Sequence, residues 1–163
     1  MPGRDERRGA WGARGQAPHA IKVGSWTVLE TIAIADCALE IRGRDLDDLF
    51  ATAARALADL MVDPDTMPRD AERTLALEAR ALDLLLHDWL SELIFLKDSE
   101  RLVFPEAVVT VHATPPRMTA CVRGGSIDPA RTTRRADPKA VTFHQFALEP
   151  REAGWYARVV IDI

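Results

Sequence analysis

The chain has 163 residues, 47% of them hydrophobic, which suits a single domain with a core large enough to fold unaided. Its formal net charge of −4 argues against a protein that holds nucleic acid mainly through phosphate contacts, so we expect no strong nucleic-acid binding. No apolar run approaches the roughly 18 residues of a membrane span and no apolar signal segment is recognisable, so we expect no membrane association and a cytoplasmic location.

The N-terminal part of the chain is rich in Gly, Arg and Ala without hydrophobic periodicity. This composition predicts a disordered leader over residues 1 to 24, followed by a single domain over residues 25 to 163. Residues 26 to 43 then alternate or run apolar and end at a glycine, which predicts two strand segments. Asp36 lies near their junction among apolar neighbours, where an aspartate is unusual.

Apolar residues at helical spacing predict a first helix over residues 44 to 64. Its first turn is acidic, and because the helix dipole favours anions there, we assign a structural role to Asp45, Asp47 and Asp48.

A strand over residues 74 to 80 precedes a second helix over residues 81 to 100, which carries a broad apolar stripe. His87 and Asp88 are adjacent in this helix and so about 100° apart around its axis, which predicts that their side chains point apart and form no catalytic pair.

The remainder of the chain is predicted to be strands, at 107–113, 118–124, 139–148 and 154–163. Residues 124 to 138 form a loop with a basic cluster at Arg131, Arg134 and Arg135. The fold class is therefore α+β, with a mostly antiparallel sheet of six or seven strands and two helices packed on one face.

Several kinds of chemistry are unsupported by the sequence. It contains no Gly-rich phosphate loop, no recognisable nucleophile motif around its four histidines and no zinc-ligand spacing. Cys37 and Cys121 could touch across a sheet, but we expect both to be reduced core residues.

Carboxylates near the end of the chain suggest oxygen chemistry instead. Asp36, Asp162 and the α-carboxylate of Ile163 are hard ligands of the kind that Ca²⁺ or Mg²⁺ accepts, and they would converge if the last strand lay beside the strand that follows Asp36. The alternative is that Asp162 ends its strand and pairs with a nearby lysine. The residues alone leave both readings open.

The order of motifs from about residue 26 to residue 163 resembles the archease family. The blocks that carry the resemblance are "IAIADCALEIRG", "DLDDLFATAARALADLMVDP", "LLLHDWLSELIFLKDSERLVF", "KAVTFH" and "VVIDI". The resemblance implies an α+β fold and a divalent metal, seen as calcium in that family, with Mg²⁺ or Mn²⁺ as possible substitutes. The ligands it implies are Asp36, Asp162 and the terminal carboxylate of Ile163.

The resemblance also implies a role as a protein cofactor rather than an enzyme. Archeases activate the RtcB-type RNA ligase of tRNA splicing by promoting guanylylation of the ligase and multiple turnover. The family's strand lysine and histidine match Lys139 and His144. Lys139 either contacts the ligase or its nucleotide or neutralises the carboxylates, whereas His144 is expected to be a hydrogen-bonded strand residue.

One position departs from the family pattern. Ala33 stands where archeases usually carry a histidine three positions before the motif aspartate, which predicts weaker orientation of Asp36 and lower metal affinity. Two other functions stay open: a metal-dependent hydrolase, and an RNA-binding chaperone that would use the leader and the basic loop.

Overall fold

The computed structural model describes residues 24–29 and 36–163. The predicted leader, residues 1 to 24, lies outside these ranges except for Gly24, which is buried. The described part contains seven strands and two α-helices. In chain order they are β1 Ser25–Leu29, β2 Asp36–Gly43, α1 Leu46–Met61, β3 Ala71–Glu78, α2 Leu82–Glu100, β4 Leu102–Ala113, β5 Pro116–Ser126, β6 Ala140–Arg151 and β7 Gly154–Asp162.

The strands confirm the predicted α+β class, and every pairing among them is antiparallel. They divide into two sheets, one with the order β1-β2-β7-β6 and one with the order β3-β5-β4. Both helices contact both sheets: α1 packs on β2 and β4, and α2 packs on β4 and β6. A single hydrophobic core therefore joins the helices to the inner faces of the two sheets.

Helix α1 begins with the acidic residues that the sequence assigns to its cap. The Asp45 carboxylate accepts a hydrogen bond from the Asp48 backbone N–H at 2.8 Å, and the Asp48 carboxylate accepts one from the Arg44 N–H at 2.8 Å. Asp47 accepts a hydrogen bond from the Val111 N–H at 2.7 Å, which ties the helix to β4. The structural assignment of these three aspartates is confirmed.

The C-terminal end of α1 is satisfied by the loop that follows β5. The backbone N–H of Arg135 donates to the Met61 carbonyl at 2.8 Å, and that of Ala136 donates to the Leu60 carbonyl at 3.0 Å. These carbonyls have no partner within the helix, so the loop supplies the missing donors and is held against the helix end.

Helix α2 is the central element of the core. Trp89 is fully buried, and its indole N–H donates to the Phe50 carbonyl of α1 at 3.0 Å, which fixes the two helices against each other. The helix ends at Arg101, which has a left-handed backbone conformation with φ of 59°. Neither α1 nor α2 is long and apolar enough to cross a membrane, and they are the only α-helices in the described ranges.

Neither cysteine forms a disulfide, and the two lie in different sheets. Cys37 is buried on β2, and burial raises the pKa of its thiol, whereas Cys121 on β5 is partly exposed. They do not meet across one sheet. The prediction of a core position is therefore right for Cys37 and wrong for Cys121.

Strand β6 contains a bulge of four residues that the sequence did not predict. Thr142 pairs with Val160, but the next pair is Ala147 with Arg158, so residues 143–146 face a single residue of β7. Extra residues on one strand disrupt the hydrogen-bond ladder and re-aim the side chains. Here they present Phe143 with 57% of its surface exposed.

Candidate carboxylate site

The two aspartates of the predicted metal site lie directly opposite each other. Strands β2 and β7 are antiparallel neighbours, and their register pairs Asp36 with Asp162. Directly opposite residues project on the same face of a sheet with Cβ atoms about 4.5–5.5 Å apart. The adjacency that the metal-site hypothesis required is therefore present.

Alternation along the strands sets which face these carboxylates occupy. Cys37 and Ile161, the immediate neighbours of the two aspartates, belong to the hydrophobic core. Because successive side chains point to opposite faces, Asp36 and Asp162 project away from that core, and both are partly exposed. Their partial exposure leaves the carboxylate oxygens within reach of an ion or a partner protein.

Ile163 follows Asp162 immediately and holds the end of the chain in place. Its side chain is partly buried against the hydrophobic core. The backbone carbonyl of Asp162 accepts a hydrogen bond from the Lys139 N–H at 2.7 Å, which continues the pairing of β6 with β7 up to this point. The terminal carboxylate is thus only one residue from the facing pair of aspartates.

The alternative reading, an ion pair between Asp162 and a lysine, finds no support in the described contacts. Within residues 24–29 and 36–163, neither Asp36 nor Asp162 has a side-chain hydrogen bond or ion pair. Ala140, not Lys139, is the β6 residue that pairs with Asp162. Strand alternation places the exposed Lys139 side chain on the other face. The pKa of Asp137 is lowered mainly by its hydrogen bond to Lys97, and the positive charge of Lys139 adds a smaller contribution.

The donor set fits a hard divalent cation only if the end of the main chain takes part. No group of three or more His, Cys, Asp or Glu side chains in the described ranges is placed to hold a metal. Asp36 and Asp162 supply two carboxylates, and the predicted third ligand is the terminal carboxylate rather than a side chain. Three carboxylates without a bound metal would repel one another, which favours a cation among them. Ala33 lies outside the described residues, so its effect on metal affinity stays a prediction.

His87 makes contacts that the sequence did not predict. Its Nδ1 lies 3.1 Å from the Asp88 carboxylate and its Nε2 lies 3.0 Å from the Val141 carbonyl. The expectation that the two side chains point apart was wrong, because a ring at the helix surface can turn towards its neighbour. The ring also stacks on Phe143, with 4.2 Å between centroids. The partners on β6 are distant in sequence, so helical geometry alone could not reveal them.

His144 lies in the bulge of β6 rather than in a regular strand ladder. Its side chain is exposed and has no hydrogen bond to another residue of the described part of the chain. The predicted position in a strand is confirmed, because His144 belongs to β6, but the predicted hydrogen bond is not seen among the described residues. The bulge breaks the alternation on which that prediction rested.

The basic cluster in the loop after β5 is partly neutralised by acidic partners. Arg135 forms an ion pair with Asp59 at 2.8 Å, and Arg131 lies 3.9 Å from Asp128. Charges paired in this way attract a polyanion less than unpaired ones. This cluster therefore lends little support to the RNA-binding reading.

Comparison with known proteins identifies the same family as the sequence motifs. The model of the archease protein family (MTH1598/TM1083) matches residues 26–163. A protein archease from Archaeoglobus fulgidus is 32% identical over 130 residues, which cover 79% of this chain and 93% of the relative.

Two solved structures share the fold. The solution structure of Methanobacterium thermoautotrophicum protein 1598 has a TM-score of 0.69 and 26% identity, covering 88% of this chain and 100% of that one. The crystal structure of a Thermotoga maritima archease, described as a possible chaperone, has a TM-score of 0.57 and 18% identity, covering 84% of this chain and 98% of that one. At this low identity the second structure supports the fold alone.

Proposed function

Because this chain belongs to the archease family, we propose that it is a protein cofactor of an RtcB-type RNA ligase in tRNA splicing or RNA repair, acting in the cytoplasm. It would promote guanylylation of the ligase and multiple turnover, and would itself catalyse no reaction. The observation that carries the proposal is the pair of facing carboxylates, Asp36 and Asp162, at the accessible end of β2 and β7.

The proposed site holds a divalent cation, Ca²⁺ in the first instance and Mg²⁺ or Mn²⁺ as substitutes. Asp36, Asp162 and the terminal carboxylate of Ile163 would be its ligands. Carboxylates and phosphate oxygens are both hard donors, so an ion held here would supply a positive charge that the ligase or its nucleotide phosphates could share.

Activation requires that this protein bind one state of the ligase more tightly than another, because a partner with equal affinity for both states shifts nothing. The two aspartates point outwards and are accessible, so a partner can approach them without disturbing the core. The exposed Lys139 lies beside the same sheet end and would contact the ligase or a nucleotide phosphate as a point charge.

The test is the rate of guanylylation of the cognate ligase with GTP and a divalent metal, measured with this protein or with the Asp36→Asn/Asp162→Asn variant. The matched control is Asp65→Asn, which removes an exposed aspartate on the short turn after α1. We expect the control to stimulate the ligase as the parent protein does and the double variant to lose stimulation while keeping its fold by circular dichroism.

Two other results would contradict parts of this account. Equal stimulation by the double variant would show that the carboxylates are not the working site. If neither protein stimulated the ligase, the proposed partner itself would be wrong. A second variant with two alanines appended after Ile163 moves the terminal carboxylate without removing an aspartate, and it should lose stimulation too.

A further inference from the structure

A cavity of about 160 Å³ lies at the opposite end of β2 and β7 from the aspartates. The register there pairs Gly43 with Trp155 and Arg151 with Gly154. The cavity is formed where the end of β2 meets the turn between β6 and β7. Its walls are Arg42, Gly43, Arg44, Arg151, Ala153, Gly154 and Trp155.

Three of these walls are arginines, and all three are exposed. The Arg42 guanidinium lies over the Tyr156 ring at 5.1 Å from its centroid, and that of Arg151 lies over the same ring at 4.3 Å. The Tyr156 ring thus holds two guanidinium groups at the edge of the cavity. Stacking of this kind orients the cation while leaving its N–H donors available.

Acidic side chains around the cavity neutralise only part of this charge. Glu149 forms an ion pair with Arg151, and Glu40 accepts the Tyr156 hydroxyl at 2.8 Å. Asp48 accepts the backbone N–H of Arg44 at 2.8 Å and so stands beside that residue. Among the residues that the structure describes, no acidic one lines the cavity, and Arg42 and Arg44 form no ion pair with any of them.

A close backbone approach brings the arginines of the two strands together. Gly154 has a φ of 136°, and a Cβ there would lie 2.1 Å from the Gly43 carbonyl oxygen. Only glycine allows the turn that carries Arg151 to pack this tightly on the segment that carries Arg44. The packing of the backbone, and not only the flexibility of the side chains, therefore brings these positive charges together.

The size and chemistry of the cavity select its ligand. Pockets for drug-sized molecules measure about 300–1,000 Å³, so this cavity is too small for a whole nucleotide but large enough for one phosphate group. Guanidinium groups match phosphate oxygens with two parallel hydrogen bonds, and the indole of Trp155 offers a surface for an adjacent base. We propose that this three-arginine pocket binds a backbone phosphate of a single-stranded RNA.

An RNA strand suits the pocket better than an isolated phosphate because of the chain that leads into β1. Ser25, the first residue of β1, pairs with Arg42 in the sheet register. The first 23 residues of the chain contain four arginines and one lysine against one aspartate and one glutamate. The segment that precedes β1 thus adds a net positive charge to the chain, which favours a ligand with several phosphates in a row.

The pocket is separate from the carboxylate site and does not depend on it. Asp36 and Arg42 are six residues apart on β2, which corresponds to roughly 20 Å at about 3.4 Å per residue. The pocket would bind RNA whether or not a metal occupies the carboxylate site. It would also hold if the proposed ligase partner were wrong.

The test is fluorescence anisotropy of a short labelled oligouridine with the full chain in the presence of a chelator. The test variant is Arg42→Gln/Arg44→Gln, and the matched control is Arg80→Gln, an exposed arginine before α2. We expect about tenfold weaker binding for the double variant and a shallower dependence of log affinity on log salt, by about 0.7 for each phosphate that the variant no longer neutralises. The control should bind as the parent does.

A third variant, Arg4→Gln/Arg7→Gln/Arg8→Gln, removes arginines from the segment before β1. The proposal would be overturned if the parent chain did not bind, if the double variant bound as the parent does, or if only this third variant lost binding. Competition separates the sources of phosphate. The proposal predicts that unlabelled oligouridine displaces the probe at far lower concentration than inorganic phosphate or GMP. Equal competition by inorganic phosphate would show a simple anion site and contradict RNA recognition.

Discussion

Asp36 and Asp162 face each other across the β2–β7 pair, and no cation from the described residues contacts either carboxylate. Like charges directly opposite each other on antiparallel strands destabilise the pair. The facing aspartates at this end of the sheet therefore lower the stability of the metal-free protein. A cost of this kind is typical of positions that serve function rather than folding.

The repulsion between these aspartates predicts that removing one of them stabilises the metal-free protein. In a chelator, Asp162→Asn should raise the free energy of unfolding by up to about 1 kcal/mol, because one of two facing negative charges is lost. Urea unfolding followed by circular dichroism measures the change. Asp65→Asn should leave stability unchanged, and a destabilised Asp162→Asn protein would argue that this carboxylate already has a favourable partner.

A second prediction concerns Lys97, which is only 8% exposed and contacts the carboxylates of Asp98, at 2.7 Å, and Asp137. Burial alone would lower the pKa of Lys97, but the hydrogen bonds and charges of the two carboxylates outweigh it and raise that pKa. The hydrogen bond from Lys97 lowers the pKa of Asp137. Asp137→Asn should therefore cost about 1 kcal/mol of stability near neutral pH.

The pKa directions set the pH window of this contribution. A carboxyl with a lowered pKa stabilises the fold above its unfolded pKa, near about 4, and loses that contribution as pH falls through the folded value. The stability gap between the parent and Asp137→Asn should thus be constant from about pH 5 to pH 8 and shrink below about pH 4. The raised pKa of Lys97 makes its own contribution fall only in strong alkali. A gap that grew on acidification would contradict the assignment.

A third prediction compares two exposed phenylalanines. Phe143 is 57% exposed but stacks on His87, whereas Phe95 is 59% exposed and has no ring contact among the residues described. Because an aromatic pair contributes about 0.5–1.5 kcal/mol, Phe143→Ala should lower stability by about 1 kcal/mol. Phe95→Ala should change it little. Chemical denaturation of both variants would show equal effects if the stacking contributes nothing.

The sequence alone predicts most of the fold because its periodicities are strong and local. The acidic N-cap of α1, the apolar stripe of α2 around Trp89 and the buried apolar run of β7 each follow from neighbouring residues. The division into two sheets could not be read in this way, because it depends on which strands pair at long range. The boundaries of β3 and β4 also start earlier than the periodicity indicates, at Ala71 and Leu102.

Residue types alone predicted which residues form the candidate site, but their relative positions depend on the strand register, which the sequence does not reveal. The opposition of Asp36 and Asp162 depends on how β2 pairs with β7, which no local pattern encodes. The β6 bulge was missed because residues 143–146 carry no glycine or proline to mark it, even though Gln145 has a φ of 52°. The arginine pocket was missed because Arg151 is distant in sequence from Arg42 and Arg44 and meets them only through pairing in the sheet.

The most direct test of the carboxylate site is a calorimetric titration of Ca²⁺ into the chelator-treated full chain and into Asp36→Asn. The account predicts one binding event in the parent protein that is lost in the variant, together with a Ca²⁺-dependent gain in stability of about 2.7 kcal/mol at a hundredfold excess over Kd. Asp65→Asn should bind Ca²⁺ as the parent does. Absence of binding by the parent, or undiminished binding by folded Asp36→Asn, would contradict the metal site.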